Sequence, residues 1–176
     1  SISPFSILNL EEKFSFIINT VSDGKAVELL TGGTIDRVDI VSGITRIVDY
    51  KTGNVAESIG SVEELFADDR KKESDGWLQT LIYCEAYVSN KKPDKIRPSV
   101  YKIKKLSTGV LSDKLKLKPD RKTESEINNY LEIRDEFLIG LKNVTSLIFS
   151  GDEPFTMTAD IRGKCTYCPY RKLCLR

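Results

Sequence analysis

An α/β domain is the fold class this sequence predicts, and three observations predict it. The first 51 residues are dominated by β-branched and aromatic runs of strand length, separated by Gly-containing turns. Residues 76–89 carry a helical pattern, and a second apolar stripe of helical period recurs over residues 124–149. Between them, Ser99 to Leu106 reads as a strand that joins the sheet. A chain of 176 residues, 40% apolar and 30% charged, is long enough for one globular domain with its own core. The expected domain therefore runs over residues 1–176, with residues 163–176 as a cysteine-rich tail.

Taken in order, Glu12 to Thr20 is aromatic and β-branched and predicts a strand. Ser22-Asp23-Gly24 is a turn, and Lys25 to Leu30 a second strand. Gly32-Gly33 is expected to break that strand from the next. Thr34 to Val41 and Ile44 to Lys51 flank Ser42-Gly43 and predict a β-hairpin. Four strands with such short connections suit an antiparallel meander, because a parallel pair needs a long crossover. Residues 54–74 are polar and without clear period, and are expected to form a loop. The helix over 76–89 places Gln79 and Tyr83 on one side at i, i+4. Residues 90–98 contain Pro93 and Pro98 and read as a connection. Residues 107–122 are basic and suggest a hairpin arm. Thr123 and Glu126 have capping-box spacing at the head of the helix expected over 124–149.

The chemistry is concentrated in the hairpin. Acidic residues are disfavoured inside strands, yet Asp36 lies in the first arm and Asp49 near the end of the second. Asp49 and Lys51 are two apart and project from the same strand face. A neighbouring strand can bring Asp36 against Asp49, where two carboxylates repel unless a cation lies between them. A hard divalent ion takes oxygen ligands, commonly from one or two carboxylates, and a lysine beside it can bind a phosphate oxygen. Two carboxylates, a lysine and such an ion form a phosphodiester-cleaving constellation.

Gly33-x-Ile35-Asp36-Arg37-Val38-Asp39, followed after a short turn by Ile47-Val48-Asp49-Tyr50-Lys51-Thr52-Gly53, resembles the core of the PD-(D/E)XK nuclease superfamily. The branch it is most similar to is that of the RecB/AddB-type exonucleases and related CRISPR-associated exonucleases. Asp36 matches that family's metal-ligand Asp, Asp49 and Lys51 its Asp-x-Lys, and Gln79 and Tyr83 its Gln-x-x-x-Tyr helix. Cys165, Cys168 and Cys174 match the Cys-x2-Cys-x5-Cys tail of one branch. The resemblance implies a restriction-endonuclease-like mixed central sheet with helices on both sides. It implies a DNA exonuclease dependent on Mg²⁺ or Mn²⁺, with Asp36 and Asp49 as ligands and Lys51, Gln79 and Tyr83 completing the site. It also implies a role in recombinational repair as the nuclease module of a helicase–nuclease, whose helicase region or subunit lies elsewhere.

In that branch the three tail cysteines and a fourth, upstream cysteine hold a 4Fe–4S cluster. No cysteine precedes Cys84 here, so the cluster is expected to be incomplete in this chain, which reads as a C-terminal piece of a longer protein. The family's His or Glu ligand from an earlier helix also has no match. The chain has no His, and Glu11, Glu12 and Glu28 are the remaining candidates. Two other classes stay open: a catalytically incomplete DNA-binding scaffold of the same fold, and a cysteine-cluster interaction module.

Charge and cysteine use bound the setting. Net charge is +1, but residues 91–122 hold twelve Lys/Arg against three acids, and residues 57–75 hold seven acids against three bases. A basic segment near a phosphodiesterase site suits DNA backbone contacts. Clustering of three of the four cysteines in the last dozen residues is unlike a secreted disulfide framework. With no apolar run of membrane-spanning length, a cytoplasmic setting away from the membrane is expected.

Overall fold

The computed structural model describes residues 4–22, 24–108, 112–151, 154, 156–158 and 160–175. Strands β1 (Phe5–Ser22), β2 (Lys25–Val41) and β3 (Ile44–Lys51) come first, followed by a short β4 (Ser58–Ile59). Helix α1 (Asp75–Lys91) then leads into β5 (Ile96–Lys102). Short strands β6 (Lys116–Leu117) and β7 (Ser125–Glu126) precede helix α2 (Arg134–Phe149). The main sheet has the order β1-β2-β3-β5, and β4, β6 and β7 form a second, three-stranded sheet. β1, β2 and β3 pair antiparallel, whereas β3 and β5 pair parallel. The parallel pair requires a crossover, and α1 supplies it. The architecture is the α/β class expected, a mixed sheet flanked by helices.

At residues 42–43, Ser42 (φ 50°) and Gly43 (φ 77°) both have positive φ, the type I′ geometry that matches strand twist in a two-residue hairpin. Gly32-Gly33 does not break the strand. β2 runs unbroken from Lys25 to Val41, so three antiparallel strands stand where four were expected. The two glycines serve close approach instead. A Cβ on Gly32 (φ +150°) would lie 2.2 Å from the Phe14 carbonyl oxygen, and one on Gly33 would lie 2.9 Å from Tyr83 Cε1. Ile35 and Val38, three residues apart, are both fully buried in the same core. Strict alternation therefore does not hold across Asp36 and Arg37.

Other elements depart from expectation for local reasons. β5 begins at Ile96 and includes Pro98, which an edge strand tolerates because one side of its backbone needs no donor. It ends at Lys102, where a 3-10 turn over Ile103–Thr108 replaces the expected continuation to Leu106. The helix expected over 124–149 starts only at Arg134. Ser125–Glu126 pairs with Lys116–Leu117 in the small sheet instead. The capping box does not form, because the Asp120 carboxylate accepts the backbone N–H of Lys122 and of Thr123 in a turn. The hairpin arm expected over 107–122 is reduced to β6, and part of it (109–111) lies outside the described residues. Asp23 of the first turn is also outside them.

Residues 54–74 are not a bare loop. They hold β4 and two 3-10 turns, and they are pinned to α1: the indole N–H of Trp77 donates to the Ala56 carbonyl at 2.7 Å. α1 packs across all four strands of the main sheet, burying Trp77, Leu81 and Cys84 completely. Those residues join Ile35, Val38, Ile47, Ile96 and Val100 in one core, with Phe137 of α2. Fully burying side chains of this size contributes about 1.5–3 kcal/mol each. Glu85, buried on α1, accepts two hydrogen bonds from Arg134 at 2.8 Å and one from the Tyr130 hydroxyl at 2.9 Å, so α2 is fixed to α1 by a satisfied network.

Candidate active site

The end of β3, the bend of β2 and the first turns of α1 converge. Asp49 is almost completely buried, at 1% exposure. The Lys51 ammonium lies 2.9 Å from Asp49 Oδ2 and hydrogen-bonds Oδ1 at 3.1 Å. It also donates to Gln79 Oε1 at 2.7 Å, and the Gln79 amide donates to the Tyr83 hydroxyl at 2.6 Å. A continuous chain thus runs Asp49–Lys51–Gln79–Tyr83. Tyr83 is held against Gly33 of β2, where a larger residue would collide with its ring. The i, i+4 spacing on α1 puts Gln79 and Tyr83 side by side, as the sequence predicts.

Asp36 is drawn to the same place. Its carboxylate accepts the backbone N–H of Tyr50 at 2.8 Å, next to Asp49. Extending the β2–β3 register beyond Arg37↔Val48 sets Asp36 opposite Asp49. The pKa of Asp49 is raised, first by burial and further by the Asp36 charge, with Lys51 opposing. Asp39, three residues on, is differently employed. Both its oxygens are taken by Arg46, at 2.7 and 2.8 Å, and Arg37 lies 3.0 Å away. Among the described residues no cation pairs with Asp36. Of the two aspartates in Asp36-Arg37-Val38-Asp39, Asp36 is therefore the one with capacity for a further partner.

The residues present fit a divalent cation. Asp49 Oδ2 is a buried oxygen without a hydrogen bond, since Lys51 approaches it outside hydrogen-bonding geometry. Such an orphan beside a second carboxylate suits a hard ion, which one or two carboxylates can hold with waters and phosphate oxygens. Beside Lys51 and Gln79 lies a cavity of about 400 Å³, lined also by Gly53, Asn54, Lys72 and Gly76. Among the described residues, no group of three or more His, Cys, Asp or Glu is placed to hold a metal. Glu11, Glu12 and Glu28 thus add no third carboxylate to Asp36 and Asp49.

The tail is built differently. Cys165 is buried and Cys168 and Cys174 are half-exposed; all three are free thiols, and among the described residues they form no metal-ready group. Their backbone contacts are short-range, as in Cys168 N–H to the Cys165 carbonyl at 3.2 Å. Cys84 is a core residue on α1, and burial pushes its thiol well above the ordinary range. It lies among core side chains, the surroundings of a packing residue.

The sequence reading assigned no site role to Lys102. It faces Lys51 in the parallel β3–β5 register, a pairing invisible before the strands are aligned.

A model of the PD-(D/E)XK nuclease superfamily matches residues 2–175 of the chain. No curated protein matches it.

Proposed function

The chain belongs to the PD-(D/E)XK nuclease superfamily, and on that premise we propose that it is a metal-dependent DNA exonuclease domain. One observation carries the reading: a buried Asp49 with an orphaned oxygen, next to Asp36 and tied through Lys51 to Gln79 and Tyr83. Asp36 and Asp49 would hold Mg²⁺ or Mn²⁺, which supplies Lewis acidity toward phosphate and water. Lys51 is held in place from two sides and would orient the attacking water and offset charge building on the phosphate. Gln79 fixes the Lys51 ammonium, and the Tyr83 hydroxyl fixes Gln79, so both act as positioning residues on the substrate side. Four motifs in the order found in the RecB/AddB-type branch, with the basic stretch 91–122 for backbone contacts, support exonucleolytic processing of DNA ends in recombinational repair. In that role the domain would work with a helicase region or subunit. Cys165, Cys168 and Cys174 would supply three ligands of a 4Fe–4S cluster, with the fourth from another segment.

Incubation with end-labelled linear DNA and with covalently closed circular DNA, in Mg²⁺ or Mn²⁺, tests this directly. Linear DNA should be degraded from its ends and the circle spared, with chelation stopping the reaction. Cleavage of the circle would make it an endonuclease. Undiminished cleavage in chelator would remove the metal from the mechanism. No helix among the described residues is long and apolar enough to cross a membrane.

A further inference from the structure

We propose that Lys102 is a phosphate-binding residue that anchors the nucleic-acid backbone beside the reacting phosphate. This assignment rests on the nuclease reading above and extends it to a lysine outside the sequence motifs. Lys102 ends β5 and stands in parallel register with Lys51, one strand away at about 4.8 Å. Paired residues of a parallel ladder project from the same face, so both lysines rise from the face that carries Asp49 and Val100.

The two ammonium groups are placed very differently. Lys51 is bound by Asp49 and Gln79 and needs no external partner. Lys102 is 8% exposed as a residue, and among the described residues no hydrogen bond or ion pair holds its ammonium, which still reaches solvent. The carboxylate whose charge acts on it is Glu57, and Glu57 is already paired with Lys105. Burial lowers the Lys102 pKa, with Glu57 opposing and Lys105 adding to the shift. The Lys102 stem is buried while the ammonium stays at the solvent boundary without an anion, a position from which it can take one from outside. Paired with Lys51 in the ladder, Lys102 is placed to take an anion from outside the protein. A phosphate of the substrate backbone has the charge, and the register sets it within reach of both lysines. The roles then separate: Lys51 is held by Asp49 and Gln79 beside the metal ligands, while Lys102 would accept a neighbouring backbone phosphate as a point charge.

The full chain and its Lys102→Gln, Lys102→Met and Lys102→Arg variants decide this. Binding of a fluorescein-labelled oligonucleotide is followed by anisotropy from about 50 to about 200 mM salt. The Gln and Met variants should lose about 0.7–0.9 from the log–log salt slope, one phosphate contact, and the Arg variant should keep it. Affinity should fall about tenfold, and the loss in kcat/KM should be carried mainly by KM. Thermal unfolding of Lys102→Met should be unchanged or raised, because no hydrogen bond or ion pair of the described residues is lost and the apolar stem is kept. An unchanged slope in Lys102→Gln would overturn the assignment while leaving the nuclease reading intact. A steep fall in the melting temperature of both the Gln and Met variants would make Lys102 a structural residue instead. Oligonucleotide binding with the predicted slope change but no cleavage by the wild type would keep the anchor and sink the nuclease reading. A wild-type chain that neither binds nor cleaves would sink both.

Discussion

The β2–β3–α1 junction and the cysteine tail both concentrate chemically capable side chains, but they are held in opposite ways. At the junction each functional group is positioned by partners far away in sequence. Lys51 reaches Gln79 across 28 residues, Asp36 takes the N–H of Tyr50, and Tyr83 rests on Gly33. The core beneath is fully buried, so the geometry is fixed by folding and exists before any ligand arrives. In the tail, Cys165, Cys168 and Cys174 are tied by backbone bonds spanning three or four residues, and Tyr167, Leu173 and Leu175 are largely exposed. Among the described residues, no disulfide or hydrogen bond from a distant element reaches those sulfurs. A site preorganised by the core can do chemistry on arrival of metal and substrate, whereas one linked only locally acquires its geometry from what it binds.

The contrast can be broken experimentally at either end. The largest effect is expected for Lys51→Ala, which should cut the rate of DNA cleavage by about 10²–10³ while leaving the fold intact, checked by single-turnover kinetics and circular dichroism. Next comes Gly33→Ala. Its new methyl would displace the Tyr83 ring, and overpacking of this kind costs about 1–3 kcal/mol. Both the melting temperature and the cleavage rate should fall, since Tyr83 positions Gln79; a change in neither would show that the Tyr83 contact is dispensable.

A smaller effect of opposite sign is expected for Asp49→Asn without metal. The Asp49 pKa is raised in the folded state, chiefly by burial. Its ionised form therefore opposes folding at pH above that raised value, and the penalty disappears below the ordinary carboxylate range. The variant should melt a few degrees above wild type at pH 7 and converge with it in acid, as followed by thermal unfolding across pH. The smallest effect is expected in the tail. Cys168→Ser and Cys174→Ser should shift the stability of the metal-free chain by no more than about 0.5 kcal/mol in denaturant titrations. A large loss would mean that the tail is held by more than local contacts.

Much of the junction was legible in the sequence, because strand and helix periods are local. The Ser42-Gly43 turn, the Asp49-x-Lys51 spacing and the Gln79/Tyr83 pair each follow from residues within a few positions of one another. What was not legible depends on tertiary pairing. Gly32-Gly33 reads as a break because glycine weakens strands. In the fold, the pair admits the Phe14 carbonyl and the Tyr83 ring at close range. Thr123 and Glu126 have capping-box spacing, but Asp120 captures the same backbone and Ser125–Glu126 goes to a sheet. Asp39 also lies in a strand, and only the fold shows that Arg46, seven residues on, occupies both its oxygens. Lys102 is anonymous among the twelve basic residues of 91–122 until β5 is laid beside β3.

The most direct test of the central claim, that Asp36 and Asp49 share one divalent cation, is a Mn²⁺ titration followed by the paramagnetic resonance of the free ion. Wild-type protein should bind Mn²⁺, and Asp36→Asn and Asp49→Asn should each weaken that binding by about tenfold or more while remaining folded. Wild-type affinity in Asp49→Asn would place the metal elsewhere and contradict the account.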